Sequence, residues 1–330
     1  MEQRHLGRTG LRVSRIGLGT LTWGRDAQGP DEPGTAELLK TFWEAGGTLV
    51  DTADVYGGGE AEYLLGRLVG SLVPRRELVI ATKAGGVPDP DRRFDGSRGH
   101  LLAALDDSLA RLGTEYVDLW QVHAFDPGTP LEETLHAVDL AVSSGRARYA
   151  GVCNFSGWQL AKAATWQLAS PGLRTRLATT QMEYSLLQRG VEREVLPAAL
   201  DLGIGLLPSS PLGRGVLTGK YRSGIPADSR GASPAMAGFV EPYLDDTAAG
   251  IVHAVATAAH GLAVTPLQVA LAWVRDRPGV VAPLVGARTS PQLAEALSVE
   301  TLTLPEEIRQ ALDDVSAPVH RYPDHDWSTL

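Results

Sequence analysis

The sequence predicts an α/β fold, an eight-stranded (β/α)8 TIM barrel with an amino-terminal β-hairpin and extra loops and helices. Three observations carry this. Short runs rich in Val, Ile and Leu alternate with longer amphipathic segments, the signature of parallel βα units. Eight such runs can be counted along the chain. The 330 residues exceed the roughly 250 typical of one such barrel, which leaves room for long loops and a tail within one domain over 1–330.

In order, a hairpin is expected at 4–14, turning at the GRTG of residues 7–10. Strands follow at 15–19 (RIGLG), 47–52 (GTLVDT), 78–83 (LVIATK) and 117–123 (VDLWQVH). Four more are expected at 148–153, 178–183, 203–208 and 280–285. Helical segments between them are expected at 35–45, 60–69, 98–112, 131–144, 156–168, 191–202 and 247–276, with further pieces at 290–297 and 305–314. Thr129-Pro130 and Thr265-Pro266 mark helix starts, because Pro is preorganised for the first turn. The stretch 218–246, rich in Gly, Pro and Ser, carries no periodic element, and a loop of that length is usually functional.

Composition excludes several classes. With 43% hydrophobic and 21% charged residues the chain can bury a sizeable core. A net charge of -9 gives no overall basic face for nucleic acid or anionic lipid. The single cysteine, Cys153, cannot form an intrachain disulfide, which suits a reducing cytoplasm. No segment reads as a secretory signal or supplies the roughly 20 apolar residues of a membrane span, so a soluble, cytoplasmic protein is expected.

In such barrels the active site lies where the strands end, so polar residues at strand carboxyl ends are the candidates. Asp51, Lys83 and His123 end the second, third and fourth strands, and Tyr56 follows Asp51 in the Gly-rich loop DTADVYGGGE. Each alone has an ordinary structural explanation; together they form a proton-transfer set. Hydride addition to a carbonyl leaves an alkoxide, and a Tyr can protonate it if its anion is stabilised. Lys83 would stabilise that anion, Asp51 would hold Lys83, and His123 would hydrogen-bond the carbonyl oxygen.

From RHLGRTGLRVSRIGLGT near the start to GARTSPQL near the end, the chain resembles the aldo-keto reductase family. The segments that carry the likeness are DTADVYGGGEAEYLLG, VIATKAG, DLWQVHAFDP, RYAGVCNFS, QMEYSLL, SSPLGRGVLTGKY and GART. It looks nearest the branch that includes bacterial aldehyde and ketone reductases and the potassium-channel β subunits, whose loop is similar to Ser223 through Arg230. The resemblance implies catalytic Asp51, Tyr56, Lys83 and His123, and NADPH (NADP) extended across the strand ends without a Rossmann domain. It further implies cofactor contacts at Thr20, at Asn154 and Gln181 to the nicotinamide, at Asp51 to its ribose, and at Ser210, Pro211, Leu212 and Gly215 to the pyrophosphate. Lys220, Arg230, Gly286, Arg288, Gln292 and Glu295 are implied for the adenosine and its 2′-phosphate. Trp23, Tyr56, His123 and Phe125 are implied as substrate pocket. The sequence departs from the family pattern at Ser209, usually aromatic, at Cys153, usually Ser, and at Ala296, often Asn.

The function implied is NADPH-dependent reduction of aldehyde or ketone carbonyls to alcohols. A redox-sensing module that turns NADPH over slowly, or a sugar or polyol dehydrogenase working in the oxidising direction, would use the same residues. Substrate choice is expected in the loops around Trp23, Pro88 to Phe94, Phe125 and 221–245. Other patterns fail: GLGTLT at 17–22 lacks the third Gly of a dinucleotide fingerprint, and GRGVLTGKY has Arg214 and Tyr221 where a phosphate loop needs Gly and Ser or Thr. His253 and His260 lack a third ligand, so no metal is expected. Trp120, Trp166 and Trp273 are expected in packing.

Overall fold

The structure, a computed structural model, describes residues 1–318 apart from 25–28, 88, 90, 91, 171, 173, 174 and 235. Its chain order begins with β1 (Gln3–His5) and β2 (Arg12–Ser14), an antiparallel hairpin. Then come β3 (Gly17–Gly19), α1 (Glu32–Glu44), β4 (Leu49–Asp51), α2 (Glu60–Leu68), β5 (Val79–Ala84) and α3 (Arg98–Leu112). These are followed by β6 (Val117–Val122), α4 (Leu131–Ser143), β7 (Ala147–Cys153), α5 (Gly157–Ala169), β8 (Leu177–Glu183), α6 (Val195–Leu202) and β9 (Gly205–Ser209). The carboxyl-terminal part holds α7 (Ala237–Val240), α8 (Asp246–Leu262), α9 (Pro266–Arg275), β10 (Leu284–Val285), α10 (Ser290–Leu297) and α11 (Glu306–Val315).

The eight strands β3 to β10 are all parallel and run in the order β10-β3-β4-β5-β6-β7-β8-β9. A bridge between Leu206 and Val280 joins the two ends of this order, so the sheet is a nearly closed (β/α)8 barrel. Alternation along the strands sorts side chains into two cores. Leu49, Val79, Ala81, Leu119, Leu207 and Leu284 fill the lumen. The larger second core lies between the strands and the helix ring.

The hairpin plugs the amino-terminal end of the barrel. Leu6 and Val13, both fully buried, join the lumen core, and each contributes about 1.5–3 kcal/mol of apolar burial. Arg4 Nη1 donates to the carbonyl oxygens of Arg275 and Val280 at 2.7 and 3.1 Å, which fixes the plug to the end of α9. The opposite end is therefore the one left for chemistry.

The segment expected as one helix over 247–276 is two, bent by 101°. Ala263 takes a left-handed φ of +54° and ends α8, and Thr265 and Gln268 cap α9 reciprocally. Among the described residues no single helix is long and apolar enough to cross a membrane. The loop 218–246 contains α7 and two short 3-10 turns, at Arg230–Ala232 and Glu241–Tyr243. Turns of three or four residues leave no periodicity for a sequence to display. Trp120 and Trp273 are buried in packing, and Trp166 packs against the same core.

Candidate active site

The period of two that puts Leu49 in the lumen also puts Asp51 there, and the series Val79, Ala81, Lys83 does the same on β5. Leu119 and Gln121 follow on β6, Thr179 and Gln181 on β8. The lumen thus turns from apolar to polar at its carboxyl-terminal end, where the charges must pair because water is excluded. Lys83, fully buried, donates from Nζ to Asp51 Oδ1 at 2.5 Å and to the Thr52 carbonyl oxygen at 2.7 Å. Asp51 Oδ2 accepts from Gln181 Nε2 at 2.9 Å and from Gln121 Nε2 at 3.4 Å. Lys83 Nζ also stands 3.4 Å from the Tyr56 hydroxyl.

Tyr56 is placed by its loop. Gly57, Gly58 and Gly59 have φ of +59°, +67° and +100°, a run of left-handed backbone that only glycine adopts without strain. A Cβ on Gly57 would also meet the Gly24 carbonyl oxygen at 2.9 Å. The turn sets Tyr56 half-buried at the cleft. Its ring meets the His123 ring edge-on, with centroids 6.1 Å apart.

Burial raises the Tyr56 pKa above its usual value, and the neighbouring Lys83 charge opposes that rise. Lys83 suffers desolvation too, but Asp51 and Tyr56 outweigh it and the ammonium is held more firmly than usual. His123 is lowered to about 3, by burial and then by the Lys83 charge, so it is a neutral imidazole at physiological pH. Of the two groups facing one another, Tyr56 alone carries a proton it can give up with Lys83 to stabilise what remains.

A second carboxyl stands beside this set and was not singled out in the sequence. Asp54 Oδ1 is buried without a hydrogen-bond partner, and burial followed by the charge of Glu62 raises its pKa to about 7. Glu62, fully buried on α2, accepts from Arg111 Nε at 2.8 Å and from the Thr82 hydroxyl. Since the folded-state value exceeds the unfolded 3.8, the unfolded chain releases this proton first. The Asp54 contribution to stability therefore falls as pH rises from about 4 to 7 and stays lost above that. Asp54→Asn is expected to raise the melting temperature at pH 8 by about 2–4 °C more than at pH 5. Thermal unfolding at both pH values checks it, and equal shifts would remove the carboxyl's ionisation from the account.

Along the strand ends runs a cleft of about 400 Å3. Asp51, Tyr56, Gln181, Ser210, Pro211, Leu212, Gly215, Lys220, Arg230, Gly286, Arg288, Gln292 and Glu295 line it. Ser209 and Ala296, two of the three departures noted above, line it as well. Gly215 has φ +96°, and a Cβ there would lie 3.3 Å from Lys220 Nζ, so the ammonium can rest against bare backbone. Lys220 has its pKa lowered by burial, then by Arg230 and Arg288, which marks three cations crowded at one place. Thr22 also lines the cleft, and its hydroxyl oxygen is buried without a protein partner. An elongated anionic ligand with a phosphate at one end and hydrogen-bonding groups at the other fits this donor set.

Arg214, read in the sequence only as a mismatch to a phosphate loop, also lines the cleft. It holds a left-handed φ of +58°, and its guanidinium pairs with both Glu183 oxygens at 2.9 and 2.6 Å. It donates to the Phe239 carbonyl oxygen at 2.6 Å and stacks over the Phe239 and Tyr243 rings. The segment around α7 is thereby tied to the end of β8.

Four residues expected at the site are not among those that line this cleft. Thr20 is fully buried and donates to the Asp51 carbonyl oxygen at 3.2 Å, behind the cleft wall. Asn154, exposed with φ +56°, donates from Nδ2 to the His123 carbonyl oxygen at 3.0 Å. Trp23 is fully buried in the core, and Leu21 and Thr22 of the same loop line the cleft instead. Phe125 is partly buried against Phe155 and Trp158, outside the cleft. Of the 88–94 loop, Pro88, Pro90 and Asp91 lie outside the described residues. Among the described residues no group of three or more His, Cys, Asp or Glu is placed to hold a metal ion.

The strand ends of the barrel thus bring a Tyr, a Lys, an Asp and a His together beside a cleft. Residues 15–317 match the model of the Aldo/keto reductase family, and the chain belongs to that family. It is 35% identical to "Uncharacterized oxidoreductase YrpG" of Bacillus subtilis over 96% of both chains. It is 36% identical to "Probable voltage-gated potassium channel subunit beta" of Oryza sativa over 98% of both. With "Versiconal hemiacetal acetate reductase" of Aspergillus parasiticus it shares 32% over 98% of this chain and 99% of that one. Membership makes the chain an oxidoreductase of the carbonyl-reducing kind.

Proposed function

We propose that the protein is an NADPH-dependent reductase of aldehydes or ketones in which Tyr56 is the general acid. The observation that carries it is the Tyr56 hydroxyl, 3.4 Å from a buried Lys83 ammonium, in a cleft that also gathers Lys220, Arg230 and Arg288. Bound there, NADPH would supply a hydride to the carbonyl carbon. Tyr56 would give its proton to the oxygen, with Lys83 holding the phenolate and Asp51 holding Lys83. Neutral His123 would orient the carbonyl by a hydrogen bond. Asn154 and Gln181 would position the nicotinamide end, with Thr20 supporting Asp51 from behind. Ser210, Pro211, Leu212 and Gly215 would pass along the pyrophosphate; Lys220, Arg230, Gly286, Arg288, Gln292 and Glu295 would take the adenosine end. Three cations at that end favour a 2′-phosphate, hence NADPH over NADH. The lone Cys153, fully buried, suits a reducing cytoplasm.

The test is oxidation of NADPH, followed by its absorbance, against aromatic, aliphatic and sugar-derived aldehydes, with NADPH binding measured in parallel by fluorescence. Turnover is expected, and Arg288→Ala is expected to weaken NADPH about 10-fold or more while changing NADH little, since a charge-assisted bond is worth roughly 1.5–3 kcal/mol. Equal losses for both cofactors would remove Arg288 from the phosphate. The relatives named as channel β subunits favour one second reading, a module that binds NADPH and turns it over slowly. Tight binding without turnover of any carbonyl would select it.

A further inference from the structure

Around Gly86 and in the loop after His123, apolar side chains gather at the strand ends. Val55, 38% exposed, flanks Gly86, where a Cβ would lie 2.9 Å from Val55 Cγ1 and 3.8 Å from His123 Nδ1. Two residues beyond His123 stands Phe125, whose ring meets Phe155 at 5.5 Å and Trp158 at 5.8 Å, both edge-on. Trp158, in the first turn of α5, is 58% exposed, the most exposed large apolar side chain among the described residues. The charged residue that follows Phe125 in the chain is already committed. Asp126 accepts from the Gly96 and Gly128 amides, the Thr129 hydroxyl and Arg92, and Arg92 also binds Asp95.

We infer that Trp158, with Phe125, is a specificity-determining wall that selects carbonyl compounds with a flat apolar body over polyhydroxylated ones. This rests on the reductase reading given above. A carbonyl hydrogen-bonded between Tyr56 and His123 must lay the rest of its molecule along one side of that pair, and this apolar group is contiguous with His123. An aromatic body would meet ring edges and faces there, where stacked or edge-on contacts add to the burial of apolar area. A sugar aldehyde would desolvate its hydroxyls against Val55, Phe125 and Trp158, which offer only the indole N–H as a polar partner. With 58% of its surface exposed, Trp158 is open to a body that arrives from solution.

The experiment compares 2-naphthaldehyde with glyceraldehyde in NADPH-coupled steady-state assays of the parent, Trp158→Ala and Trp158→Phe. In parallel, calorimetry measures binding of 2-naphthalenemethanol, which accepts no hydride, to the NADPH complex. The parent is expected to favour naphthaldehyde in kcat/KM. Trp158→Ala is expected to lower the naphthaldehyde-to-glyceraldehyde ratio on the order of 10-fold, mainly through KM, and to weaken the alcohol similarly. Trp158→Phe should restore most of both. A ratio that Trp158→Ala leaves in place, or a parent that favours glyceraldehyde, overturns the wall while the reductase stands. No turnover of either aldehyde, with alcohol binding still dependent on Trp158, overturns the reductase and keeps the aromatic site. No turnover and alcohol binding indifferent to Trp158 overturns both.

Discussion

Tyr56→Phe is expected to lower kcat for carbonyl reduction by about 10^2–10^4-fold, the usual range for removing a positioned proton donor. The substitution takes away one oxygen and leaves the ring that meets His123 at 6.1 Å, so the loop and the cleft should keep their shape. NADPH binding, read by its fluorescence, should stay close to that of the parent, because the cationic end of the cleft is untouched. The result separates Tyr56 from His123, the other group within reach of a carbonyl oxygen. With its pKa lowered to about 3, His123 has no acidic proton to give near pH 7, so it cannot replace the missing hydroxyl. Turnover retained in the Phe variant would mean that water or another side chain protonates the alkoxide, and the proposed chemistry would fall.

Lys83→Met should cost about 3–5 kcal/mol of stability as well as activity, since it leaves a buried carboxylate without its cation. Asp51 is 3% exposed, and two amide donors, Gln121 and Gln181, would remain around it. Equilibrium denaturation measures the loss. The informative comparison is Asp51→Asn combined with Lys83→Met, in which both charges are gone and the neutral pair fits the same space. The double variant is expected to recover most of the stability lost in Lys83→Met alone while remaining inactive. If the two changes add, Asp51 and Lys83 do not depend on one another for stability and the ion pair is not what holds this end of the lumen.

The barrel is legible because most of its strands carry Val, Ile or Leu, and the polar ends of β4, β5 and β6 interrupt those runs at Asp51, Lys83 and His123. The run at 280–285 was seen as a strand, but only Leu284 and Val285 pair regularly, while Val280 makes a single bridge to Leu206. Composition cannot distinguish a strand from a strand-like closure. The break at Ala263 was missed because left-handed backbone usually announces itself by Gly, and here the residue is Ala. Trp23 reads as pocket lining from its loop, yet loops do not show which of three neighbours turns inward; Leu21 and Thr22 reach the cleft and Trp23 turns into the core. Arg214 and Asp54 carried no local signal at all. Their roles come from Glu183, 31 positions away in sequence, and from Glu62 across a turn of glycines.

The carboxylate of Asp51 joins four strands at once, taking Lys83 from β5, Gln121 from β6 and Gln181 from β8. For a lineage of such chains this is a lock on substitution. Replacing either charge alone passes through a folded state that is poorer by a large share of the roughly 5–15 kcal/mol a protein has to lose, whereas replacing both in one step is rare. Drift is thus diverted to the rim, where exposed side chains such as Val55 and Trp158 hold no charge partner. Descendants of one ancestor would then differ in what they accept long before they differ in how they handle the proton.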